Sequence, residues 1–538
     1  MSGPSYRAPA SDYGLLSVPA IENWAELALG NHEFLSQPDR TIGGEFLTEL
    51  RRRARQSFVE CARAWNPEGM DLYPKVLEPE SVWIMTGHQP ELYHPGVWAK
   101  NFAVASVARA NGFIGLNLVA DTDQLKSTRI KVPSGSLYRD PKAVEVAFDQ
   151  TEDGRPYETW RISDEAVFEG FEQAVKRVLT PEVADPLVSE IWPLVNEFDG
   201  DNGARRLSLA RQSIERRWGG GLLESPMSLW AETAVVRHMF CIILADMPRF
   251  HAIHDEHLAA YRKEHRIRSR NHPVADLLET GGWWESPLWV WRDTDPIRRS
   301  LWVRICPNGS GIELRIEGES DALGCLSIRP GHSTEEGVDQ LARIAAGGVR
   351  IRPRALVTTA LCRTLLADLF VHGIGGAIYD ELGDSIFRQF FGITPPSYAV
   401  MSATLRLSDF GPAESHRALE EAILQRRRIE WKAETQDFDD PEVLRLLEIK
   451  SYWLSQPTQE RRMRRERARR LRTINREIAG LLGPELSEMR DRIVALRSAA
   501  SIEMVARSRE YSVVVHSVTR LLRLAKMIGL GAIVRRPT

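Results

Sequence analysis

The first residues that could do chemistry lie in the stretch TGHQPELYHPG, residues 86–96, directly after the apolar run VWIM. The stretch contains Gly87, His88, Gln89 and His94, and Lys100 follows in a helical pattern. Backbone N–H groups at a helix N-terminus attract anions, and a lysine there adds a positive charge for a phosphate or a carboxylate. A histidine could donate a proton to a leaving phosphate. These residues predict catalytic roles for His88, His94 and Lys100; the alternative is a structural turn in which both histidines cap neighbouring carbonyls.

Two carboxylates, Asp121 and Asp123, follow the apolar run GLNLVA, and Lys126 comes close behind them. Carboxylates at the end of a strand can hold Mg²⁺ with its water ligands or orient an amine or a hydroxyl. Ligands of open α/β sheets bind outside the carboxyl ends of the parallel strands, so this corner and the TGHQ turn are expected to face one crevice. We therefore predict that both aspartates are catalytic, with an Asx-turn that only ends the strand as the alternative.

The third candidate is the glycine-rich loop HGIGG, residues 372–376. Its glycines allow a ligand to approach the backbone closely, and the helix that follows would point its N-terminus at that ligand. The spacing is neither the dinucleotide-binding fingerprint nor a P-loop. Arg352 and Arg354, in the stretch IRPR, could reach the same anion, although surface or structural arginines are the commoner case. The predicted substrate- or nucleotide-binding residues are Gly87, Gln89, Lys126, Arg352, His372, Gly373, Gly375, Gly376, Tyr379 and Asp380.

Two other patterns are less specific. His251, His254 and His257 recur every three residues, but this is not the HExxH pattern and successive positions drift around a helix, so no metal ligand is predicted. The run RRMRRERARRLR, residues 461–472, contains eight arginines and could grip RNA. Nearby acidic residues and the helical context favour a solvent-exposed face instead.

An α/β core must position these residues. The apolar runs 81–85 and 115–120 have the length of strands, and residues 97–110 between them have the length and composition of a helix. Such a βαβ unit places both strands in a parallel sheet. Residues 289–316 alternate apolar and polar positions around turn signals, which predicts an antiparallel hairpin and hence a mixed sheet. Further predicted elements are a helical segment over 20–65, a strand over 144–148 and a long helix over 228–257. Residues 351–391 return to helix and glycine-rich loop, and residues 398–407 are expected to close the globular part.

The same pattern divides the chain into three predicted domains. Residues 1–75 form an N-terminal helical segment, and residues 76–410 form a Rossmann-like, mostly parallel sheet core with inserted segments. Residues 411–538 are predicted to form a helical coiled-coil arm, because long charged helices are interrupted near Pro441, Pro457 and Gly483. The arm could mediate a homodimer or pack on itself within one chain.

Composition narrows the class of protein. The 538 residues carry a formal net charge of -3, which gives no global basic field, so nucleic acid is not the expected partner. Five scattered cysteines without a CxxC pair argue against a disulfide framework and fit a reducing compartment. Neither a leader pattern nor a membrane-spanning apolar window is recognisable, so we expect a cytoplasmic protein without a membrane partner.

The order of these motifs resembles the bacillithiol biosynthesis cysteine-adding enzyme family. The shared succession is TGHQ with Leu92, a helix, a strand ending in DTD, the helix HAIHDEHLAAYR, then IRP, GIGGAIYD and a helical arm. This resemblance spans most of residues 80–530. It implies a Rossmann-like core, a coiled coil that mediates dimerisation, and attachment of cysteine to the amine of glucosaminyl-malate.

Residue by residue, the resemblance is uneven. Gly87, His88 and Gln89 match the family's Gly-x-Gln turn, but Ala120 and Thr122 stand where its acidic corner has Glu and His. His94-Pro95-Gly96 replaces Thr-Gly-Pro, and Lys100 lies earlier than the family's lysine. Gly373, Gly375, Gly376 and Tyr379 follow the family's glycine loop loosely. Because the changes fall in the expected pocket, we expect a related enzyme with a different substrate.

These observations lead to one functional expectation and two alternatives. The expectation is an ATP-dependent, ligase-like enzyme that joins an amino-acid carboxylate, cysteine by the resemblance, to an amine of a small molecule, with Mg²⁺ as an optional cofactor. The first alternative is a non-catalytic nucleotide-binding or scaffold protein whose coiled-coil arm recruits a partner. The second alternative is an RNA-associated protein that uses the arginines of 461–472.

Overall fold

The computed structural model describes residues 6–66, 80–151, 153–269, 272–307, 309–410, 414–456 and 460–533. The domain boundary predicted at residues 75 and 76, the start of the arm predicted at Gly411 and the interruption predicted at Pro457 lie outside or at the edge of these ranges. The division into domains therefore stays a prediction. None of the helices in the described ranges is long and apolar enough to cross a membrane.

Strands and helices alternate along most of the chain. The strands are β1 (Gly14–Val18), β2 (Thr41–Ile42), β3 (Glu45–Phe46), β4 (Trp83–His88), β5 (Ile114–Val119), β6 (Arg129–Ser134), β7 (Lys142–Ala147), β8 (Leu223–Pro226), β9 (Glu279–Thr280), β10 (Trp283–Arg292), β11 (Asp295–Ile305), β12 (Ile312–Ile316), β13 (Ala322–Leu326), β14 (Val349–Pro353), β15 (Leu369–His372) and β16 (Ala399–Thr404). The α-helices are α1 (Trp24–Leu35), α2 (Leu47–Trp65), α3 (Pro95–Asn111), α4 (Glu165–Glu169), α5 (Phe171–Val178), α6 (Val188–Glu197), α7 (Gly203–Arg217), α8 (Met227–Trp230), α9 (Ala234–Ala245), α10 (Met247–Glu264), α11 (Glu335–Ala346), α12 (Ala355–Leu361), α13 (Ile374–Phe391), α14 (Glu414–Trp431), α15 (Pro441–Ser455), α16 (Arg461–Leu481), α17 (Gly483–Arg507) and α18 (Val518–Ile533).

The main sheet has six strands in the order β1-β16-β15-β4-β5-β8. β16, β15, β4, β5 and β8 are parallel, and β1 pairs antiparallel with β16, so the protein is mixed α/β with a mixed sheet. From β4 the chain moves outward to β5 and then β8, whereas β15 lies on the other side of β4. The direction of the connections thus reverses between β4 and β15, which is where open α/β sheets form a ligand crevice.

The β4-α3-β5 unit follows from its sequence. The strands β4 and β5 consist almost entirely of buried residues, as expected for strands with helices on both faces. Pro95 stands in the first turn of α3, and Gly112 ends that helix in the left-handed conformation with φ of 70°. Both strands and the helix are confirmed with shifted bounds. One consequence is that His88 is the last residue of β4 and does not belong to a turn.

A second, antiparallel sheet has the order β13-β12-β11-β10-β14. The hairpin predicted within residues 289–316 is confirmed as β11 and β12, but it belongs to this second sheet and not to the main one. Side chains from both sheets share one apolar core; Met85 and Leu116 come from the main sheet, and Leu288 and Val303 come from the second. The second sheet therefore stands as a wall beside the main sheet.

Two predicted elements differ in the structure. The strand predicted over 144–148 is β7, which pairs only with β6 in a separate two-stranded sheet. The single long helix predicted over 228–257 consists of α8, α9 and α10. Pro248 explains the last break, because a proline lacks the backbone N–H that a helix interior requires and is tolerated only in the first turn.

The C-terminal helices fall into two groups. Helices α14 to α17 contact one another and bury a small apolar cluster that includes Val443, Ile474, Ile478 and Leu486. Helix α18 instead packs against α3, and its Leu521, Leu524 and Ile528 are part of the core around the main sheet. The chain therefore leaves the sheet region after β16 and returns to it before its last helix.

Candidate functional site

A cavity of about 700 Å³ lies outside the carboxyl ends of β4, β5 and β15. Its walls include Gly87 and His88 from β4, Leu118 from β5 and His372 from β15. Residues of the second sheet and of α10, α12 and α13 close the other sides. The cavity lies in the crevice expected where the direction of the connections between strands reverses. Its volume falls within the range of small-molecule sites.

His88 lines this cavity but is almost completely buried. Its Nδ1 lies 3.0 Å from the carbonyl oxygen of Gln89, and its Nε2 lies 3.2 Å from Oδ1 of Asn101. Burial lowers the pKa of His88 well below its ordinary value, and the charges of Arg211 and Lys100 lower it further. A histidine in this state is neutral near pH 7. It can fix the end of β4, but it does not supply the positive charge that a role at a phosphate requires.

Lys100 also lines the cavity, one helical turn into α3. Its Nζ donates a hydrogen bond to the carbonyl oxygen of Gly87 at 2.9 Å. Burial lowers the pKa of Lys100 to about 8. The side chain thus stabilises the end of β4 and adds a cation that neutralises readily as the pH rises.

His94 lies outside the cavity. Its Nδ1 accepts a hydrogen bond from the backbone N–H of Gly96 at 3.0 Å, so the imidazole caps the start of α3. Its Nε2 lies 3.5 Å from a carboxylate oxygen of Glu510, near the C-terminal segment. Burial lowers the pKa of His94 to about 4. The structure thus places His94 apart from His88 and Lys100, because the N-terminus of α3 faces the segment before α18.

Asp123 joins three parts of the cavity wall. Its carboxylate accepts hydrogen bonds from Nε2 of Gln89 at 2.8 Å and from Arg298 at 2.9 Å. Burial alone would raise the pKa of Asp123, but the hydrogen bond from Gln89 and the charge of Arg298 outweigh it and keep the pKa below its ordinary value. Asp123 is therefore ionised, and it ties the ends of β4 and β5 to β11.

Asp121 lies behind the wall, outside the residues that line the cavity. Its carboxylate accepts hydrogen bonds from the backbone N–H and the hydroxyl of Ser228. Burial raises the pKa of Asp121 to about 7, and the nearby charge of Glu158 adds to the effect. The predicted convergence of both aspartates on the cavity thus holds for Asp123 and fails for Asp121.

These contacts also decide whether the two aspartates fit Mg²⁺. The oxygens of Asp121 face Ser228, and those of Asp123 face Gln89 and Arg298, so N–H and O–H donors occupy the positions that a cation would need. Within the described ranges, no group of three histidine, cysteine or acidic side chains has the arrangement of a metal site. The two aspartates therefore do not fit Mg²⁺.

The glycine-rich loop opens onto the cavity. β15 ends at His372, and α13 begins at Ile374 with Gly373 as its N-cap and no side chain capping it. A Cβ atom added at Gly373 or at Gly375 would meet nothing within 4 Å. The N–H groups in the first turn of α13 are therefore accessible to an anionic ligand. Tyr379 lies on the same helix and also lines the cavity.

His372 is held by a buried carboxylate. Its Nε2 lies 2.7 Å from Oδ2 of Asp380, which also accepts hydrogen bonds from Thr359 and Arg363. Burial would raise the pKa of Asp380, but His372 and Arg363 hold it well below its ordinary value. Asp380 does not line the cavity, so its part is to orient the ring of His372. The ring lies against Gly376, and His372 lines the cavity.

The two arginines of IRPR have different environments. Arg352 is buried and forms ion pairs with Glu158 at 2.9 Å and with Glu232 at 2.6 Å, outside the cavity. Arg354 lines the cavity, pairs with Glu285 at 2.5 Å and lies 4.0 Å above the ring of Trp289. The structure therefore brings Arg354, and not Arg352, to the cavity.

One predicted residue, Lys126, lies away from the cavity, and one residue that was not predicted, Arg298, lines it. Lys126 lies outside the main cavity, beside a pocket of about 100 Å³ that Glu91 and Tyr157 also line. Arg298 was not anticipated, because no local pattern in DTDPIRRS distinguishes it from its neighbours. It comes from β11, and its guanidinium lies 5.0 Å from the ring of Trp289. Only the packing of the second sheet against the main sheet brings it to the cavity.

The cavity combines a few charged side chains with a largely apolar wall. Its lining contains the cations Lys100, Arg298 and Arg354, whereas Asp123 is the one carboxylate among the lining residues that are described. The remaining wall is largely aromatic and aliphatic, with Phe250, Leu277, Trp289, Phe370 and Phe387. The arrangement suits a small molecule that has an anionic group and an apolar body.

Comparisons with protein-family models and with curated proteins found no match to this chain. The resemblance in motif order is therefore neither supported nor contradicted by them. The geometry and the charges of the cavity remain as the basis for assigning a function.

Proposed function

We propose that this protein is an enzyme that binds a small organic anion in the cavity and joins a carboxylate to an amine in a ligase-like reaction. The proposal includes the finer architecture that the motif order implies, a Rossmann-like core around the main sheet and a coiled-coil arm formed by α14 to α17. One observation carries it: loops that follow β4, β5 and β15 converge on one cavity with an excess of positive charge.

The charged residues suit the activation of a carboxylate. Such a reaction needs a phosphoryl donor, which ATP would supply, and negative charge must be stabilised as the phosphate is transferred. The amide groups of Gly375 and Gly376 and the side chains of Arg354 and Lys100 all border the cavity and would hold an anionic group there. Cysteine as the carboxylate donor comes only from the resemblance.

The acceptor amine needs a base to take its proton. Asp123 is ionised and borders the cavity, but Gln89 and Arg298 already donate to its oxygens, so it would orient Arg298 and not bind the amine itself. His372 would accept the proton, because it lines the cavity and Asp380 fixes its Nε2 side. His88, which is neutral and held on both sides, would act only as a positioning residue.

The second candidate is a nucleotide-binding protein without turnover. The observation in its favour is that Asp121 faces Ser228, and His94 faces Glu510, so two of the expected catalytic groups are absent from the cavity. The two candidates predict the same binding but a different fate of the nucleotide. Release of ADP or AMP in the presence of cysteine and an amine separates them.

Gly375→Leu tests the cavity directly. The Cβ atom of the leucine would meet nothing within 4 Å, and its side chain would take up space before the N-terminus of α13. We therefore expect an unchanged melting temperature and at least a tenfold loss of ATP affinity, which corresponds to about 1.4 kcal/mol. Gly480→Leu, on the exposed side of α16, also meets nothing within 4 Å and serves as the control. Isothermal titration calorimetry measures both. Equal affinity in the two variants, or no binding of any nucleotide to the unmodified protein, would contradict the proposal.

A further inference from the structure

Helix α16 carries a continuous row of arginines. At 3.6 residues per turn, Arg461, Arg465, Arg469, Arg472 and Arg476 fall within a band roughly 80° wide. With a rise of 1.5 Å per residue, the band is about 22 Å long. We call this set of five residues the arginine stripe.

The stripe faces solvent. All five of its arginines are exposed, whereas Ile474 and Ile478 on the opposite side of α16 are buried against the neighbouring helices. In the described part of the chain, no carboxylate lies within 4.0 Å of a guanidinium nitrogen of the stripe, although many arginines elsewhere are paired. The acidic residues of α16, Glu466 and Glu477, lie roughly 60 to 80° beyond the edge of the band.

A row of unpaired positive charge suits a partner with regularly repeated negative charge. Guanidinium groups bind phosphates in a bidentate manner, and every basic residue of α16 is an arginine. A straight row of cations suits the backbone of an extended single strand, where each phosphate carries one charge. A helix that lies on a membrane places large apolar residues beside its basic ones, but Ala468 and Thr473 flank the stripe.

We propose that the arginine stripe binds the phosphodiester backbone of single-stranded RNA. The formal net charge of -3 argues against a basic field over the whole molecule, but an average over 538 residues does not describe one helix face. The sequence pattern favoured a solvated face because of nearby acidic residues; the structure places those residues away from the stripe. This inference is independent of the reaction proposed for the cavity.

Fluorescence anisotropy of the full chain with a labelled oligouridine measures the interaction as a function of salt. Five phosphate contacts on a single strand give a slope of log affinity against log salt near -3.5, so affinity should fall about 100-fold between about 50 and 200 mM salt. The triple variant Arg465→Ser, Arg469→Ser and Arg472→Ser removes three contacts. Its slope should be shallower by about 2.

Two further variants separate charge from folding. Replacing the same three arginines by lysine keeps the charges, so the salt slope should stay near that of the unmodified chain even if the affinity falls. Replacing Arg417 and Arg445 by serine removes exposed arginines that are paired with Glu421 and Glu442, and RNA binding should not change. Equal melting temperatures of the serine and lysine variants show that both are folded.

Several outcomes would overturn the proposal. They are no binding of oligouridine at low salt, a salt slope that the serine variant leaves unchanged, and an effect of the Arg417 and Arg445 control as large as that of the stripe. Equal or tighter binding of a DNA duplex, or of vesicles with anionic lipids, would assign the stripe to a different partner. A lysine variant that loses the salt dependence would show that the arginines act through structure and not through charge.

Discussion

Asp121 shows how a single buried carboxyl couples the stability of the protein to pH. Its pKa is about 7 in the folded protein, against an ordinary value of 3.8. The folded state therefore binds this proton more tightly than the unfolded state, and the resulting stabilisation is complete below about pH 4 and lost as the pH rises to about 7. A shift of this size corresponds to at most about 4 kcal/mol.

Asp121→Asn should remove this pH dependence. The amide can accept from the backbone N–H of Ser228 and donate to its hydroxyl, so the shape of the site is kept while the ionisation is lost. We expect the melting temperature of the variant to rise relative to that of the unmodified protein between about pH 5 and pH 8. Calorimetry across this range measures the difference. Asp39→Asn, at an exposed position, is the control, and parallel curves for all three proteins would refute the account.

At this scale the sequence predicted which segments would meet, but not which side chains. Gln89 and Asp123 come from two predicted clusters and are hydrogen-bonded at 2.8 Å, so their convergence was foreseeable from the βαβ pattern. The sequence did not indicate which of Arg352 and Arg354 would reach the cavity. Arg352 is in β14 and Arg354 is the N-cap of α12, and the direction of the chain changes between them, so strand alternation no longer relates the two side chains.

Among the elements, α2 is tied to the main sheet through one carboxylate. Asp368, just before β15, accepts hydrogen bonds from Arg51 at 2.5 Å and from Arg55 at 2.8 Å, one helical turn apart on α2. It also accepts from the backbone N–H of Trp83 at the start of β4. Burial would raise the pKa of Asp368, but the two arginines hold it at about 2. Arg51, Arg55 and Asp368 are all buried, so water cannot replace either ion pair if one of its partners is removed.

Asp368→Asn should destabilise the protein by about 3–5 kcal/mol, because two buried guanidinium groups lose their counter-charge. Glu49→Gln breaks an exposed ion pair with Arg52 on the same helix and should cost less than about 1 kcal/mol. Chemical denaturation of both variants at neutral pH measures the two costs. Since the pKa of Asp368 is lowered, its contribution is present above about pH 4 and is lost as the pH falls to about 2. A similar cost in both variants would mean that α2 is not anchored through Asp368.

Elements with an unbroken apolar pattern were predictable, and those that depend on packing were not. β4, α3 and β5 appear within a few residues of their predicted bounds, because two short apolar runs on either side of a helix-length segment are typical of a βαβ unit. The separate second sheet was not predictable, since the alternation in β11 and β12 specifies a hairpin without specifying the sheet that it joins. Arg298 reaches the cavity only through that sheet, so it was missed for the same reason.

For the whole molecule, the decisive feature is that the chain returns to the main sheet after its excursion through α14 to α17. Arg507, at the end of α17, lies over the ring of Phe410, with 5.2 Å between its guanidinium carbon and the ring centroid. The backbone N–H of Val513 donates to the carbonyl oxygen of Tyr93 at 2.8 Å, and that of Leu187 donates to the carbonyl oxygen of His516 at 2.9 Å. The ends of the excursion are thus close together, and the segment from Tyr511 to Ile528 contributes buried side chains to the core.

Two deletions should therefore behave in opposite ways. Replacing residues 411–506 by a short glycine-serine linker should leave a folded core with unchanged ligand affinity, because the linker spans two neighbouring points and α18 remains. Ending the chain at Phe410 should unfold or aggregate it, because Leu521, Leu524 and Ile528 each contribute about 1.5–3 kcal/mol by burial against the core. Thermal unfolding compares the stability of the two chains, and calorimetric titration with ATP compares their ligand affinity. Light scattering shows whether the full chain is the homodimer that the motif order implies and whether removal of the arm abolishes it. Equal stability of the truncated and the internally deleted chains would mean that α18 is a peripheral helix. Unfolding of the internally deleted chain would mean that the arm is part of the core.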